Sequence, residues 1–475
     1  MEKLKQLNRN ITKKMHVLEN EAVMAWIILL GMCIFAYTIF FDNDGYFLIA
    51  TGKEIVENGI PQFNPFFLEE GYRIVVQQWL WDVCLYKVQS WFGNYGLYIW
   101  SITFFLGAMM VLYQIAKQKE CKAPWIPVIF ASFICINFVN VRPTMVTVLL
   151  LSLQILVVER FQKTGKGLFW LPLLSLLEIN IHSALWLMHF IFLMPYIVPP
   201  IKNPWIRFRE WKFQPKLLIT IIPMFLVGFL NPYGVEGMLY LLHSNNSMMK
   251  EANILELQHP EVIEYAGVCI LLGIGIVCWQ LSKKRIVSNT AFYFFCGTLL
   301  MALLSRRNLV YFLFGVFMIG TELIGRIEWR VPAGIMVILI TLILSFGVLS
   351  LRDPFVTEDS SYTPVKAVEY LKGQEGAKIY TGFNEGGYFE YMGFRSFMDP
   401  RPELFFKSIN KKADVFRDYL NVREAKTDTS IEKVINKYEF EYLCANKGSR
   451  LDSYLLRKYD VVVSGKGYRL YQVKP

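Results

Sequence analysis

Charge is what this sequence is short of. Only 19% of its 475 residues are Asp, Glu, Lys or Arg, against about 25% in a soluble domain. The shortage is concentrated: residues 22–41, 97–116, 125–141, 217–230, 265–281, 290–304 and 331–351 carry almost none. Apolar runs of about 17–25 residues match a hydrocarbon core about 30 Å thick. An ordinary soluble fold is thereby excluded for most of the chain before residue 352. A leader-peptidase site is missing too. The first apolar run ends in the bulky Phe40-Phe41-Asp42, with no small-residue cleavage pattern, so a retained first helix is expected. The eight cysteines show no CxxC or other ligand spacing and read as small hydrophobes within apolar runs. HExxH, GxSxG, P-loop and GxGxxG contexts are all absent, which leaves zinc proteases, serine hydrolases and nucleotide-binding sites without support. No internal repeat or low-complexity tract occurs.

What the chain has in excess is apolar and basic. Hydrophobic residues make up 54%, aromatics 16%, and the net charge is +10. The basic residues lie between the apolar runs, which is the positive-inside pattern and not a nucleic-acid surface. Lys3, Lys5, Arg9, Lys13 and Lys14 precede the first helix, which places the N-terminus in the cytoplasm. Alternation then puts five later connections inside, and each is basic: Lys117 to Lys122, Arg160 to Lys166, Lys202 to Lys216, Lys283-Lys284-Arg285, and Arg326 with Arg330. The fold class expected is an α-helical polytopic membrane bundle of about eleven transmembrane helices over residues 1–351. An extracytoplasmic α/β domain follows at 352–475. The first outer connection, 42–96, is too long for a bare linker. Its Gln77 to Phe92 stretch, rich in Trp and Tyr, suits a helix in the membrane interface. In the last domain, helices are expected at 363–372 and 430–438, with strands at Lys378–Tyr380, Tyr442–Cys444 and Val461–Val463. A hairpin is expected to close at Tyr471.

This threading brings the unusual polar residues to one side. Asp42 and Asp44 follow the first helix at the outer surface. Two carboxylates one residue apart can share a divalent cation such as Mg or Mn, or one can act as base while the other orients it. They can equally mark where the helix leaves lipid. Arg142, Arg306 and Arg307 sit at outer corners too short to be solvated loops. Such arginines pair with a carboxylate or hold a phosphate, and snorkelling to headgroups is the alternative. His182 faces the same compartment, whereas His189, two turns deeper, is expected as a hydrogen-bonded bundle residue. Asn231 and Tyr233, in Asn231-Pro232-Tyr233-Gly234, form first of all a helix stop and are also candidate substrate contacts. Glu256, His259 and Glu261 can add polar contacts later in that loop. An outward site has no nucleotide sugar within reach. A donor must then arrive on a lipid, and a polyprenyl-phosphate sugar meets that need: Arg or a metal stabilises the leaving phosphate while a carboxylate takes the acceptor proton.

The chain resembles the GT-C class of polytopic glycosyltransferases, and more closely a group of bacterial GT-C-like membrane proteins. The matching stretches are Asp42-Asn43-Asp44 through Ala50-Thr51-Gly52, then Gly59-Ile60-Pro61 and Asn64-Pro65-Phe66. Further on come Arg142-Pro143, Asn180-Ile181-His182, Asn231 to Gly234, Arg306-Arg307-Asn308, Gly386-Gly387-Tyr388 and Asp399-Pro400-Arg401. The resemblance implies a bacterial cell-membrane location, a lipid-phosphate sugar donor and an acidic motif in the first outer loop. An envelope glycan or lipid would be the acceptor, with membrane lipids as surroundings and no nucleic acid. Two departures stand out: the group often has His at Leu48, and His-Glu where this chain has Gln77-Gln78. Two other readings remain open. A lipid-linked oligosaccharide flippase expects ionisable residues near the midplane and broken helices in symmetric halves. A non-catalytic envelope assembly protein would explain Gly386-Gly387 as a turn and Asp399 with Arg401 as an ordinary salt bridge.

Overall fold

The computed structural model describes residues 21–39, 43–200, 213–243, 258–261, 267, 270–271, 273–275, 288–324 and 358–473. Asp42, Glu256, the basic N-terminal segment, Lys283 to Arg285, Arg326, Arg330 and the last expected span lie outside the described residues, as does the 351/352 boundary.

The first part is helical. Helix α1 runs Glu21–Ile39, α2 Asp44–Asn58, α3 Trp79–Gln118, α4 Trp125–Cys135, α5 Thr144–Thr164 and α6 Trp170–Ile181. After short helical turns up to Ile197 come α7, Pro215–Leu226, and α8, Val235–His243; α9, Asn289–Leu304, and α10, Leu309–Ile324, complete it. Pro143 and Pro215 stand at the starts of α5 and α7, where a missing N–H costs no helical bond. Ser288 caps α9, its Oγ accepting the Ala291 N–H at 3.1 Å. The bundle packs α3 on α5, α4 on α10 and α9 on α10 around Phe105, Leu112, Val128, Ile155 and Phe312.

Two of these helices, α3 and α5, are long and apolar enough to cross a bilayer; the shorter apolar segments span 10–17 residues. Large hydrophobics point outward on α7, with Ile219 64% and Ile222 61% exposed, and on α9, with Leu300 59% exposed. The expected helix over Gln77 to Phe92 forms, and it breaks at Gly93, whose φ of 64° and ψ of −163° are not helical; beyond this kink the next apolar segment continues α3.

The C-terminal part is α/β, as expected. Its sheet has the order β1-β2-β4-β3, with β1 Ile379–Tyr380, β2 Tyr442–Asn446, β3 Asp460–Ser464 and β4 Tyr468–Gln472. β1 pairs parallel with β2 and the rest is antiparallel, Leu443 facing Tyr471 across β2 and β4. Helices α11 (Val365–Tyr370), α12 (Gly386–Tyr391), α13 (Val415–Arg423), α14 (Asp428–Tyr438) and α15 (Arg450–Leu455) surround it. The first long connection shares this domain's core. Phe67 meets Tyr72, Phe405 and Phe397 at ring-centroid distances of 4.5, 5.8 and 6.4 Å, and the Ser396 N–H donates to the Phe66 carbonyl at 2.8 Å. Aromatic pairs of this kind add about 0.5–1.5 kcal/mol each beyond their buried area.

Candidate active site

The site is built on the start of α2. Asp44 is its first residue, and its Oδ2 accepts from Arg142 Nε at 2.9 Å. The corner carrying Arg142 is fixed by its own sequence. Asn140 Oδ1 accepts the Arg142 N–H at 3.0 Å, and the Val141 carbonyl accepts from the buried Trp81 indole at 2.8 Å. The guanidinium is therefore aimed, not trailing in solvent.

His182 lies across this corner, immediately after α6. Its backbone N–H donates to the Glu178 carbonyl at 2.8 Å, and the next N–H, of Ser183, donates to the Gln77 carbonyl at 2.9 Å. Its Nδ1 is 2.9 Å from Thr147 Oγ1, on the first turn of α5. Burial first, then the charges of Arg307 and Arg142, push its pKa down to about 3, so the ring is neutral. Arg307, from the turn Arg306–Asn308, thus acts on the same imidazole as Arg142. It also acts on Glu403 of the C-terminal domain, whose pKa is raised by burial and by Asp399 and lowered again by Arg401 and Arg307. Glu403 accepts from Gln77 Nε2 at 3.1 Å, and Gln77 is also 3.1 Å from the Tyr240 hydroxyl.

Asp44, Arg142, His182 and Arg307 are therefore brought to one corner, with Gln77 and Glu403 beside them. Arg306 turns elsewhere: it is 3.9 Å from Glu261, and its N–H donates to the Gln258 carbonyl at 3.0 Å. His259 is 3.0 Å from the Leu303 carbonyl. Asn231 spends its side chain on its own turn, donating to the carbonyls of Gly228 and Gly234 at 2.8 and 3.1 Å and accepting the Tyr233 N–H at 2.9 Å. The Tyr233 hydroxyl donates to the Pro61 carbonyl at 3.0 Å, tying this turn to the first connection. His189 is a fully buried bundle residue bonded through Nδ1 to Gln154, as expected. Leu48 is fully buried among Phe47, Ile49 and Trp81, so this departure falls in apolar packing, whereas Gln77 falls beside the site.

A divalent cation at this corner would need donors that the described residues do not supply. Asp44 already holds a guanidinium on one oxygen, and no cluster of three His, Cys, Asp or Glu fit for a metal occurs among the described residues. Its expected co-ligand Asp42 lies outside them.

The C-terminal motifs prove to be a docking device. Arg401 binds Asp399 at 2.7 Å and Glu390 at 2.9 Å, both carboxylates fully buried. It also donates to Thr51 Oγ1 at 3.1 Å and stacks 4.6 Å from the Phe47 ring. An ordinary surface pair would leave these groups wet, so that expectation is corrected. Gly52 completes the Ala50-Thr51-Gly52 face: a β-carbon there would lie 2.0 Å from the Asp82 carbonyl oxygen. Gly386 has the same role on α12, where a β-carbon would lie 1.7 Å from the Met398 carbonyl oxygen, and Gly387 faces Phe47. Gly386 serves close packing, not the turn expected from sequence, whereas a β-carbon on Gly387 would make an ordinary contact with Phe47. Sequence reasoning missed Thr147, Glu178 and Glu403; Glu178, an acid in an otherwise apolar run, was the available signal.

No protein-family model and no curated protein sequence matches the chain. Among solved structures it is similar to the oligosaccharyltransferase of Archaeoglobus fulgidus. The apo form superposes with a TM-score of 0.55 at 10% identity, covering 90% of this chain and 69% of the archaeal one. The same enzyme tethered to an acceptor peptide gives 0.49 at 9% identity, covering 92% and 72%. At this identity the likeness is one of fold: a mostly helical chain with a small C-terminal sheet.

Proposed function

We propose that this chain is a membrane glycosyltransferase of the GT-C kind, moving a sugar from a polyprenyl-phosphate donor to an envelope glycan or lipid acceptor on the outer face. One observation carries the reading: Asp44, Arg142, His182 and Arg307, taken from four separate segments, converge on one corner. The fold likeness supports it. So do the outward hydrophobics of α7 and α9, since an apolar surface of this extent suits lipid. A bundle of about eleven spans, with the C-terminal domain outside, follows from the loop charges.

In the reaction the acceptor hydroxyl oxygen bonds to the anomeric carbon while the carbon–oxygen bond to phosphate breaks. The phosphate leaves with that electron pair, and Arg142 and Arg307 neutralise it. Asp44 takes the hydroxyl proton, with Asp42 as its neighbour in sequence. The C-terminal domain covers the corner through Glu403.

The test is sugar transfer from radiolabelled polyprenyl-phosphate donors by the purified chain in lipid nanodiscs. Asp44→Asn is expected to lower the turnover by about 100-fold or more, and Arg307→Gln to raise the donor KM. Full activity of an Asp42/Asp44 double variant sinks the assignment. A transporter would carry its ionisable groups inside the bundle, and Glu178 and His189 are fully buried there. Labelled lipid that crosses proteoliposomes chemically unchanged would favour that second reading.

A further inference from the structure

A chain of polar side chains leads from the site into the bundle. Thr147 Oγ1 donates to Glu178 Oε1 at 2.6 Å and lies 2.9 Å from His182 Nδ1. The competing contact of Thr147 with the Pro143 carbonyl is longer, 3.4 Å. Glu178 Oε2 faces His189 Nε2 at 3.7 Å, and His189 Nδ1 bonds to Gln154. Glu178 and His189 are fully buried, and His182 is 6% exposed.

Proton bookkeeping makes this chain directional. A hydroxyl has one proton to donate. Thr147 gives its proton to Glu178, so its oxygen can only accept from His182. His182 then carries its proton on Nδ1, and Nε2 is left with a lone pair. The far end agrees. With His189 Nδ1 turned to Gln154, Glu178 Oε2 faces His189 Nε2 at 3.7 Å without a hydrogen bond, and Oε1 is the acceptor for Thr147. Nε2 of His182 makes no hydrogen bond among the described residues and is not one of their sealed polar atoms. Burial, with Arg307 and Arg142 adding to it, keeps the ring neutral.

We infer that Glu178 and Thr147 are positioning residues that lock His182 in its Nδ1–H form, so that Nε2 accepts a hydrogen bond from a hydroxyl of the sugar acceptor. A phosphate offers no proton to such a lone pair. His182 therefore selects a hydroxyl-bearing substrate at a corner whose arginines select the anion. This assignment rests on the glycosyltransferase reading for the identity of the hydroxyl, but the tautomer itself does not.

The experiment uses the full chain labelled with 15N-histidine in nanodiscs, with His182 assigned among the five histidines by its loss in His182→Gln. Two-bond nitrogen–proton couplings are expected to show the Nδ1–H tautomer. Thr147→Val should shift His182 to the Nε2–H form and lower the turnover about 10- to 100-fold, leaving the donor KM within about twofold. Thr147→Ser should restore both. If Thr147→Val does not accumulate, Thr147→Cys, with its weakly accepting sulfur, carries the same expectation. An Nε2–H tautomer in the parent chain would mean that Glu178 is the donor and would overturn the assignment. So would an unmoved tautomer in Thr147→Val, or a moved tautomer with unchanged transfer. A locked Nδ1–H tautomer in a parent chain that transfers no sugar from any polyprenyl-phosphate donor would leave the positioning intact and remove the glycosyltransferase reading instead.

Discussion

At the scale of single residues, buried ionisable groups outside the bundle set a measurable pH response. Glu385 precedes α12, and its Oε1 accepts the Gly382 N–H at 2.5 Å. Burial raises its pKa from 4.5 to about 7. Below about 4.5 it is protonated in both folded and unfolded chains, and its contribution to stability is complete. As pH rises toward 7 the unfolded chain ionises first, so stability falls, and the loss levels off above 7. The shift corresponds to roughly 3 kcal/mol. Thermal unfolding of the full chain between pH 5 and 8 should therefore show a smaller decline in Glu385→Gln than in the parent, because Gln keeps an acceptor for Gly382 without the ionisation. Equal declines would remove Glu385 as the source. None of this was legible in the sequence, where Glu385 is one acid beside two glycines.

At the scale of elements, the sequence was most informative where patterns are local. The strands at 379–380, 442–446 and 460–464 and the hairpin around Gly465 and Gly467 follow from β-branched and aromatic runs broken by glycine. Gly386-Gly387 was misread because the group it admits, the Met398 carbonyl, approaches through the tertiary fold. A prediction separates its two members. Gly386→Ala meets fixed backbone at 1.7 Å, whereas in Gly387→Ala the nearest atom is Phe47 Cβ at 3.4 Å. Gly386→Ala should cost about 1–3 kcal/mol or more through overpacking and lower the melting temperature. Gly387→Ala should change it little. The reverse order would contradict the packing described for α12 on the Met398 carbonyl. The break in α3 was legible as well, because Gly93-Asn94 follows the aromatic Trp91-Phe92 where the first helix ends.

For the whole molecule, the decisive contacts join residues hundreds of positions apart. Asp399 and Arg401 were legible as a pair; Thr51 and Phe47, the surface onto which Arg401 docks, were not. Likewise Asp44 and Arg142 were each candidates, and their pairing was one of the alternatives. Arg401→Ala would leave two buried carboxylates without a cation, at a cost of about 3–5 kcal/mol. Loosening of the C-terminal domain should appear as faster tryptic cleavage at its junction with the helices. Arg401→Lys should rescue poorly, since an ammonium cannot reproduce the guanidinium fork that spans Asp399, Glu390 and Thr51. Protection equal to that of the parent in Arg401→Ala would show that the apolar contacts alone hold the domain.

The charge balance around Arg401 also bears on the order of assembly. The ribosome delivers α2, with Phe47 and Thr51 on its surface, some 350 positions before Arg401; N-terminal parts fold first during synthesis. Arg401 finds both its carboxylates within the late-made domain and needs only a ring and a hydroxyl from α2. The domain can thus close its ion pairs on its own side, then complete its core on Phe67 and Tyr72 of the first connection as it settles onto α2. Docking delayed in this way leaves the corner at Asp44 uncovered until the final stretch of chain has been made, so a nascent molecule gains its roof last.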